Sequence, residues 1–189
     1  MRIQLAQRSE ADELLGRSPL ALLVGMLLDQ QIPMEWAFTG PYTISQRIGH
    51  DLTAEEIASY DPEAFVALLA DKPAVHRYPK SMAGRVQKLA AYLVEHYDGR
   101  PERIWNDAAD GQELLKRLRA LPGYGEQKAQ IFLALLGKQL EVQPSGWREA
   151  AGAYGEEGSH RSVADVVDGD SLARVREAKQ EAKRTAKAQ

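Results

Sequence analysis

Apolar residues recur along this chain at the three- and four-residue spacing of amphipathic helices, and no stretch keeps the alternation of a β-strand. Residues 20–28 are apolar almost all round, which predicts a central, buried helix. Ser18 and Pro19 suit its N-cap and first position. Further helices are predicted after a turn at residues 32–38, after the caps Thr53 and Asp61, and over residues 82–97, 112–121, 126–136 and 147–154. The pattern predicts an all-α protein.

The charge is distributed unevenly along the chain. From Arg174 onward six basic residues face two acidic ones, a net charge of +4, so the remainder carries −7 of the total −3. The sequence predicts one folded unit over residues 1–172 and a basic, flexible tail over residues 173–189. We expect the tail to be helical only when it binds a partner. The tail either adds DNA affinity or only solubilises the chain. Since attraction to phosphate acts over about 8–10 Å, a local basic face can bind nucleic acid despite the acidic total.

Composition excludes several kinds of site. There are no cysteines, so disulfides, thiolate zinc sites and cysteine-bound iron–sulfur clusters are excluded. The four histidines lack ligand spacing, and we expect neither a metal nor a cofactor. The apolar run at residues 20–28 is too short to span a bilayer, and residues 1–4 lack the apolar stretch of a signal peptide. We therefore expect a soluble, cytoplasmic, monomeric protein without membrane association.

A glycine-bearing turn separates two of the predicted helices. Residues 121–128 read Leu-Pro-Gly-Tyr-Gly-Glu-Gln-Lys. A hairpin of this kind presents bare backbone amides at the start of its second helix, where they can hold a phosphate. DNA-binding residues are therefore expected at Gly123, Tyr124, Gly125, Gln127 and Lys128. The alternative is that the glycine only ends the first helix. Gly137 is predicted to end the second helix as its C′ residue.

Three stretches, in the same order along the chain, resemble the helix–hairpin–helix DNA glycosylase superfamily, which includes endonuclease III and the alkyladenine glycosylases. Residues 121–129 resemble its hairpin, residues 19–31 its long buried helix with a glutamine-bearing loop, and residues 82–89 the helix in the middle of its barrel lobe. The resemblance spans residues 19–155. It implies a two-lobed, all-helical protein that binds damaged double-stranded DNA between its lobes, at the nucleoid. It also implies base flipping and cleavage of the glycosidic bond.

Two further groups of residues have a functional and a structural interpretation. Gln30 and Gln31 either fill the gap left by a flipped base or cap the apolar helix. Trp36, Phe38 and Tyr42 either line a base pocket, where aromatic faces stack on bases, or belong to the core. The sequence does not distinguish these alternatives.

The resemblance also implies a catalytic aspartate shortly after the second hairpin helix, where a carboxylate stabilises the cationic sugar as the base departs. That position falls on Pro144, or on Gln143 or Ser145 with a one-residue slip, and none is acidic. The family's hairpin lysine is also displaced, because Gln127 occupies its place and Lys128 follows. One step along a helix rotates a side chain by about 100°, so we do not expect Schiff-base lyase activity.

Three explanations for the missing aspartate follow. The protein excises bases that are already cationic, such as methylated purines, or it binds DNA without chemistry. The third explanation is that another acid is recruited, the candidates being Glu141, Glu149, Asp165 and Asp168. The sequence thus favours a monofunctional DNA N-glycosylase for alkylated bases. The alternatives are a catalytically inactive DNA-damage-binding protein and a helical protein-interaction module.

Overall fold

The computed structural model describes residues 3–189, and within that range it contains helices and no strands. The helices are α1 (Ser9–Arg17), α2 (Pro19–Leu28), α3 (Met34–Ile48), α4 (Ala54–Ser59), α5 (Pro62–Ala70), α6 (Pro79–Tyr97), α7 (Arg103–Asn106), α8 (Gly111–Arg119), α9 (Glu126–Gln139), α10 (Trp147–Ala150) and α11 (Gly169–Ala188). Two 3-10 turns, Gly152–Gly155 and Val163–Asp165, lie between α10 and α11. The prediction of an all-α protein is confirmed for these residues.

The predicted helix starts are made by side-chain caps. The Ser18 hydroxyl accepts the Ala21 amide at 3.1 Å, and Pro19 occupies the first position of α2. Thr53 caps α4 and Asp61 caps α5 in the same way. Each cap satisfies an amide that has no partner inside its helix. Short polar residues before apolar runs therefore located these helices correctly.

Helix α2 forms the centre of the core, and all of its residues except Pro19 are buried. It packs against α1, α3 and α6. The contact with α3 is close because Gly25 has no side chain: a Cβ there would lie 2.6 Å from Cδ1 of Phe38. Such a site tolerates no larger residue without displacing the buried phenyl ring.

The remaining helices pack around two long ones. Helices α4 and α5 pack on α6, while α8, α10 and the two 3-10 turns pack on α9. The buried apolar side chains of both groups form one continuous core that includes α2. Because α2 belongs to this shared core, its C-terminal end lies where segments distant in sequence meet.

Gly137 does not end its helix, contrary to the sequence prediction. Helix α9 continues to Gln139, and Leu140 follows as the C-cap. The Trp147 ring instead packs on Gly137, where a Cβ would lie 2.4 Å from its Cε3 and Cζ3 atoms. This glycine is explained by close packing rather than by a left-handed backbone.

The C-terminal segment is one helix that crosses the predicted boundary between residues 172 and 173. Asp168 and Ser171 form a capping box at its start, and Leu172 and Val175 are buried against the core. From Lys179 onward every residue is exposed. The sequence predicted helix here only on binding, whereas in the structure the capped and anchored first turns extend into an exposed basic half. Helix propagation from an existing nucleus explains the difference.

We expect Gly137→Ala to reduce the free energy of unfolding by about 1–3 kcal/mol, because overpacking against Trp147 outweighs the better helix propensity of alanine. Urea denaturation measures it. Gly84→Ala in α6 is the matched control, since no atom lies within 4 Å of the new methyl group. There the same change should stabilise by about 0.5–1 kcal/mol. Equal effects at the two positions would contradict the packing explanation.

Candidate nucleic-acid interface

The predicted hairpin joins α8 to α9. The Tyr124 amide donates to the Leu121 carbonyl at 3.0 Å, and Gly123 adopts a left-handed φ of 84°. Gly125 is the extended N-cap of α9 and has no side chain to cap the first amides. Gly123, Gly125 and Gln127 are exposed. The turn therefore presents backbone amides and a helix N-terminus to solvent, an arrangement that suits an anion.

The inner side of the hairpin packs on the C-terminal end of α2. The Tyr124 hydroxyl donates to the Leu23 carbonyl at 2.7 Å, and its ring is only 5% exposed. The Lys128 ammonium donates to the Met26 carbonyl at 2.6 Å. The side chains of Tyr124 and Lys128, both expected at the DNA, thus serve first to bind the hairpin to α2. Burial raises the pKa of Tyr124 well above its ordinary value.

The chain makes a tight turn immediately after α2. Asp29 has φ −74° and ψ 68°, and the Gln30 amide donates to the Leu28 carbonyl at 2.7 Å, an inverse γ-turn. Gln31 then takes a left-handed φ of 62° and is exposed. The Gln30 side chain caps the helix by donating to Leu27 at 2.8 Å and accepts from Arg85 at 3.0 Å. The structure thereby separates the two glutamines: Gln30 is engaged and Gln31 faces solvent.

His76 ties the segment before α6 to this turn. Its Nε2 lies 3.1 Å from the Leu28 carbonyl and 3.0 Å from the Gln30 carbonyl, so Nε2 carries the proton. Its Nδ1 accepts the Tyr78 amide at 3.0 Å. Burial lowers the pKa of His76. The hydrogen bonds to the two carbonyls act in the opposite direction and raise it. The neutral ring therefore bonds to both carbonyls and fixes the position of Gln30. We call this pair of contacts the His76 clip.

The aromatic residues predicted for a base pocket or the core all contact other parts of the protein. Trp36 donates its indole N–H to the Ala74 carbonyl at 2.9 Å and stacks on His76. Phe38 is fully buried, and the Arg8 guanidinium covers the Tyr42 ring. These contacts agree with the interpretation that the three aromatic residues belong to the core. Tyr154, which the sequence analysis did not select, lines a cavity and receives a hydrogen bond from Gln127 at 2.9 Å.

Two adjoining cavities, of about 610 and 590 Å³, open between the end of α2 and helix α11, and we refer to them together as the cleft. Both are lined by Asp29, Lys179 and Lys183. The larger also takes residues from the start of α9 and the first 3-10 turn; the smaller takes Gln31 and Arg77. Segments far apart in sequence thus meet around one carboxylate.

Asp29 is the half-buried carboxylate of the cleft. Burial raises its pKa, while the nearby charges of Lys179 and Lys128 act to lower it. The Glu35 charge, like burial, raises the pKa of Asp29. Burial also lowers the pKa of Lys128, and the Asp29 charge opposes that effect. Asp29 was not predicted as a site residue, although the sequence places this acidic residue directly after a wholly apolar helix.

Basic side chains of α11 line the cleft at helical spacing. Arg176, Lys179 and Lys183 are separated by three and four residues, which places them on one face of the helix. Arg176 also forms an ion pair with Glu35 at the start of α3. This contact holds α11 beside the cleft. The segment predicted as a tail therefore forms one wall of the cleft.

The position of the expected aspartate lies elsewhere. Residues 141–146 join α9 to α10, and the Ser145 carbonyl accepts the Gly111 amide at the start of α8. Pro144 does not line the cleft, and Glu141 and Glu149 are exposed away from it. The two other candidate acids have structural partners: Asp165 pairs with Lys138 at 2.6 Å and Asp168 caps α11. Within residues 3–189, Asp29 is the one acidic residue that lines the cleft.

Comparison with protein-family models, curated proteins and solved structures found no significant match. Within residues 3–189 no helix has the length and apolar character to cross a bilayer. In the same part of the chain, no group of three histidine or acidic side chains is arranged to hold a metal ion.

The His76 clip predicts a pH dependence of stability. The folded protein holds the imidazole neutral and lowers its pKa, whereas the unfolded chain takes up a proton near pH 6.5. The stability that this neutral ring contributes is therefore present above about pH 6.5 and is lost as the pH falls. We expect an NMR titration of His76 to give a pKa below 6.5. The Nε2-protonated tautomer should be observed, and protonation at Nδ1 of the neutral ring would contradict the clip.

Proposed function

We propose that this protein is a helix–hairpin–helix DNA N-glycosylase of base-excision repair, which flips alkylated bases into the cleft and hydrolyses their glycosidic bonds. The observation that carries this proposal is the position of the hairpin. Its exposed amides stand at the end of α2 beside a cleft that has basic walls and a carboxylate within it. The two packing groups of helices are consistent with the two-lobed fold of that family.

The charges around the cleft support a DNA backbone as the ligand. Arg77 and Arg85 lie on the α6 side, and Arg176, Lys179 and Lys183 on the α11 side. The first amides of α9 add a helix N-terminus between them. Neutralising phosphates releases condensed counterions, so such a face binds duplex DNA even on a protein with a net charge of −3.

The size and lining of the larger cavity support a flipped base. A volume of about 610 Å³ lies within the range of small-molecule sites, about 300–1,000 Å³. Tyr154 offers an aromatic face for stacking, and Gln127 is exposed beside it. Gln31, at the turn after α2, is exposed where a side chain could fill the gap left in the duplex. These residues belong to the segments that resemble the glycosylase family or adjoin them.

The engagement of Lys128 supports a monofunctional enzyme. Its ammonium donates to carbonyls at the end of α2, at 2.6 Å to Met26 and 3.4 Å to Leu27. Burial lowers the pKa of this amine, but it must give up both carbonyl contacts before it can attack a sugar, which disfavours it as a nucleophile. The proposed reaction therefore uses water and leaves an intact abasic site.

The basic face of α11 gives a salt-dependence prediction. Each phosphate contact contributes about 0.9 to the slope of log affinity against log salt, so Lys179→Ala with Lys183→Ala should reduce that slope by up to about 1.8. Arg184→Ala with Lys187→Ala is the matched control, because it removes the same charge from α11 outside the cleft. Fluorescence anisotropy with a duplex between 50 and 200 mM salt measures it. An equal decrease of the slope in both variants would mean that α11 contributes only nonspecific charge.

The enzyme claim is tested by excision. Duplexes carrying one N-methylated purine, one deaminated base or one oxidised base are incubated with the protein, and alkali then cleaves any abasic site. We expect cleavage of the methylated substrate, which carries a cationic base that leaves readily. Strand cleavage before alkali, or a borohydride-trapped adduct, would contradict a monofunctional mechanism.

A catalytically inactive DNA-damage-binding protein is the second candidate. It is favoured by one observation: Pro144, Glu141 and Glu149 all lie outside the cleft, so no acid occupies it from the family's usual position. This candidate predicts preferential binding to lesion-containing or bent duplexes without product. Absence of duplex binding even at low salt would instead favour a helical protein-interaction module.

A further inference from the structure

We infer that Asp29, at the C-terminal end of α2, supplies the catalytic carboxylate that is missing from the loop between α9 and α10. The inference rests on the proposed glycosylase function and identifies a different residue, on a different element, for its acid. Asp29 lines both cavities of the cleft, between Lys128 of α9 and Lys179 of α11.

The other aspartates considered above have structural partners. Asp61 caps α5, Asp168 caps α11, and Asp165 pairs with Lys138. By contrast, within residues 3–189 no group donates a hydrogen bond to the Asp29 carboxylate. A half-buried carboxylate without donors is costly to the fold. Its position at a helix C-terminus, where the dipole disfavours negative charge, adds to that cost. A group that destabilises the fold in these ways, and faces a cavity, is available to a ligand.

Burial raises the pKa of this carboxylate, and nearby lysine charges oppose that effect. Lys128 and Lys179 favour the ionised form, while Glu35 and burial oppose it. Lys128 is fixed by its bonds to α2, so its charge stays beside the acid. An ionised acid next to a flipped nucleotide is suited to stabilising positive charge on the sugar.

The reaction balances with water as the only co-reactant. The C1′–N bond of a methylated purine breaks, and its electron pair neutralises the departing cationic base. The sugar is left as an oxocarbenium ion, which the Asp29 carboxylate stabilises. Water then adds to C1′ as Asp29 accepts a proton from it, and the proton passes to solvent. The products are an abasic site, the neutral base and one proton.

The decisive experiment compares Asp29→Asn with the wild-type chain. We expect excision of an N-methylated purine from a duplex to fall about 100-fold or more, the usual effect of removing an electrostatic stabiliser. Duplex affinity should be unchanged or higher, because a negative charge is removed beside the phosphates. The midpoint of thermal unfolding should rise, since a half-buried carboxylate without hydrogen-bond donors is replaced by a neutral side chain. Asp29→Glu, which keeps the carboxylate, should retain part of the excision rate.

Two further measurements separate catalysis from structure. The wild-type excision rate should fall toward acid pH as Asp29 takes up a proton. The charged groups around Asp29 are Glu35, Arg77, Lys128, Arg161, Arg176, Lys179 and Lys183. This acid limb should be absent from the residual activity of Asp29→Asn. Glu141→Gln and Glu149→Gln remove exposed carboxylates outside the cleft and should leave the rate unchanged.

Each outcome decides a separate claim. If the wild-type chain excises the base and Asp29→Asn does so within about twofold, Asp29 is not the acid while the proposed function stands. Loss of duplex binding or a lower unfolding midpoint in Asp29→Asn would assign it a structural role. If the wild-type chain binds damaged duplexes but excises nothing, the enzyme claim and this inference both fail, and the damage-binding candidate remains.

Discussion

Helix α2 ends among buried residues, and its last carbonyl groups accept hydrogen bonds from donors elsewhere in the chain. The Lys128 ammonium bonds to Met26, and the His76 ring bonds to Leu28. The Gln30 amide bonds to Leu27. Satisfying this one helix end brings together the hairpin, the segment before α6 and the glutamine loop. The arrangement of the cleft follows from that requirement.

The same helix end creates the electrostatic character of the cleft. The donors at this helix end bond to its carbonyls and not to the half-buried Asp29 carboxylate, whose ionised form is favoured only by more distant lysine charges. Low-dielectric surroundings strengthen the attraction between Asp29 and the basic walls, and they also strengthen the interaction of either with a charged ligand. Residues at functional positions commonly lower the stability of the fold in this way.

The structural features that were predicted correctly from the sequence are those that local patterns determine. The Ser18 cap, the apolar helix α2 and the hairpin at residues 121–128 depend on neighbours within a few positions, and the structure has them at the predicted places. Packing decided the features that were missed. Gly137 accommodates a tryptophan ten residues later, and Tyr124 bonds to a carbonyl 101 residues away. The surroundings of Asp29 depend on the lysines that two later helices bring to the cleft, which no local pattern specifies.

The position of Lys128 on α9 connects these observations. A lysine one position earlier, where Gln127 stands, would face the exposed side of α9 beside Tyr154. At position 128 the rotation of about 100° turns the ammonium inward to the end of α2. The hairpin then contributes its backbone amides outward and a fixed positive charge inward, next to Asp29. An acid at the end of a rigid, buried helix is held more firmly than one on a loop such as that between α9 and α10, which suits Asp29 to the role proposed for it.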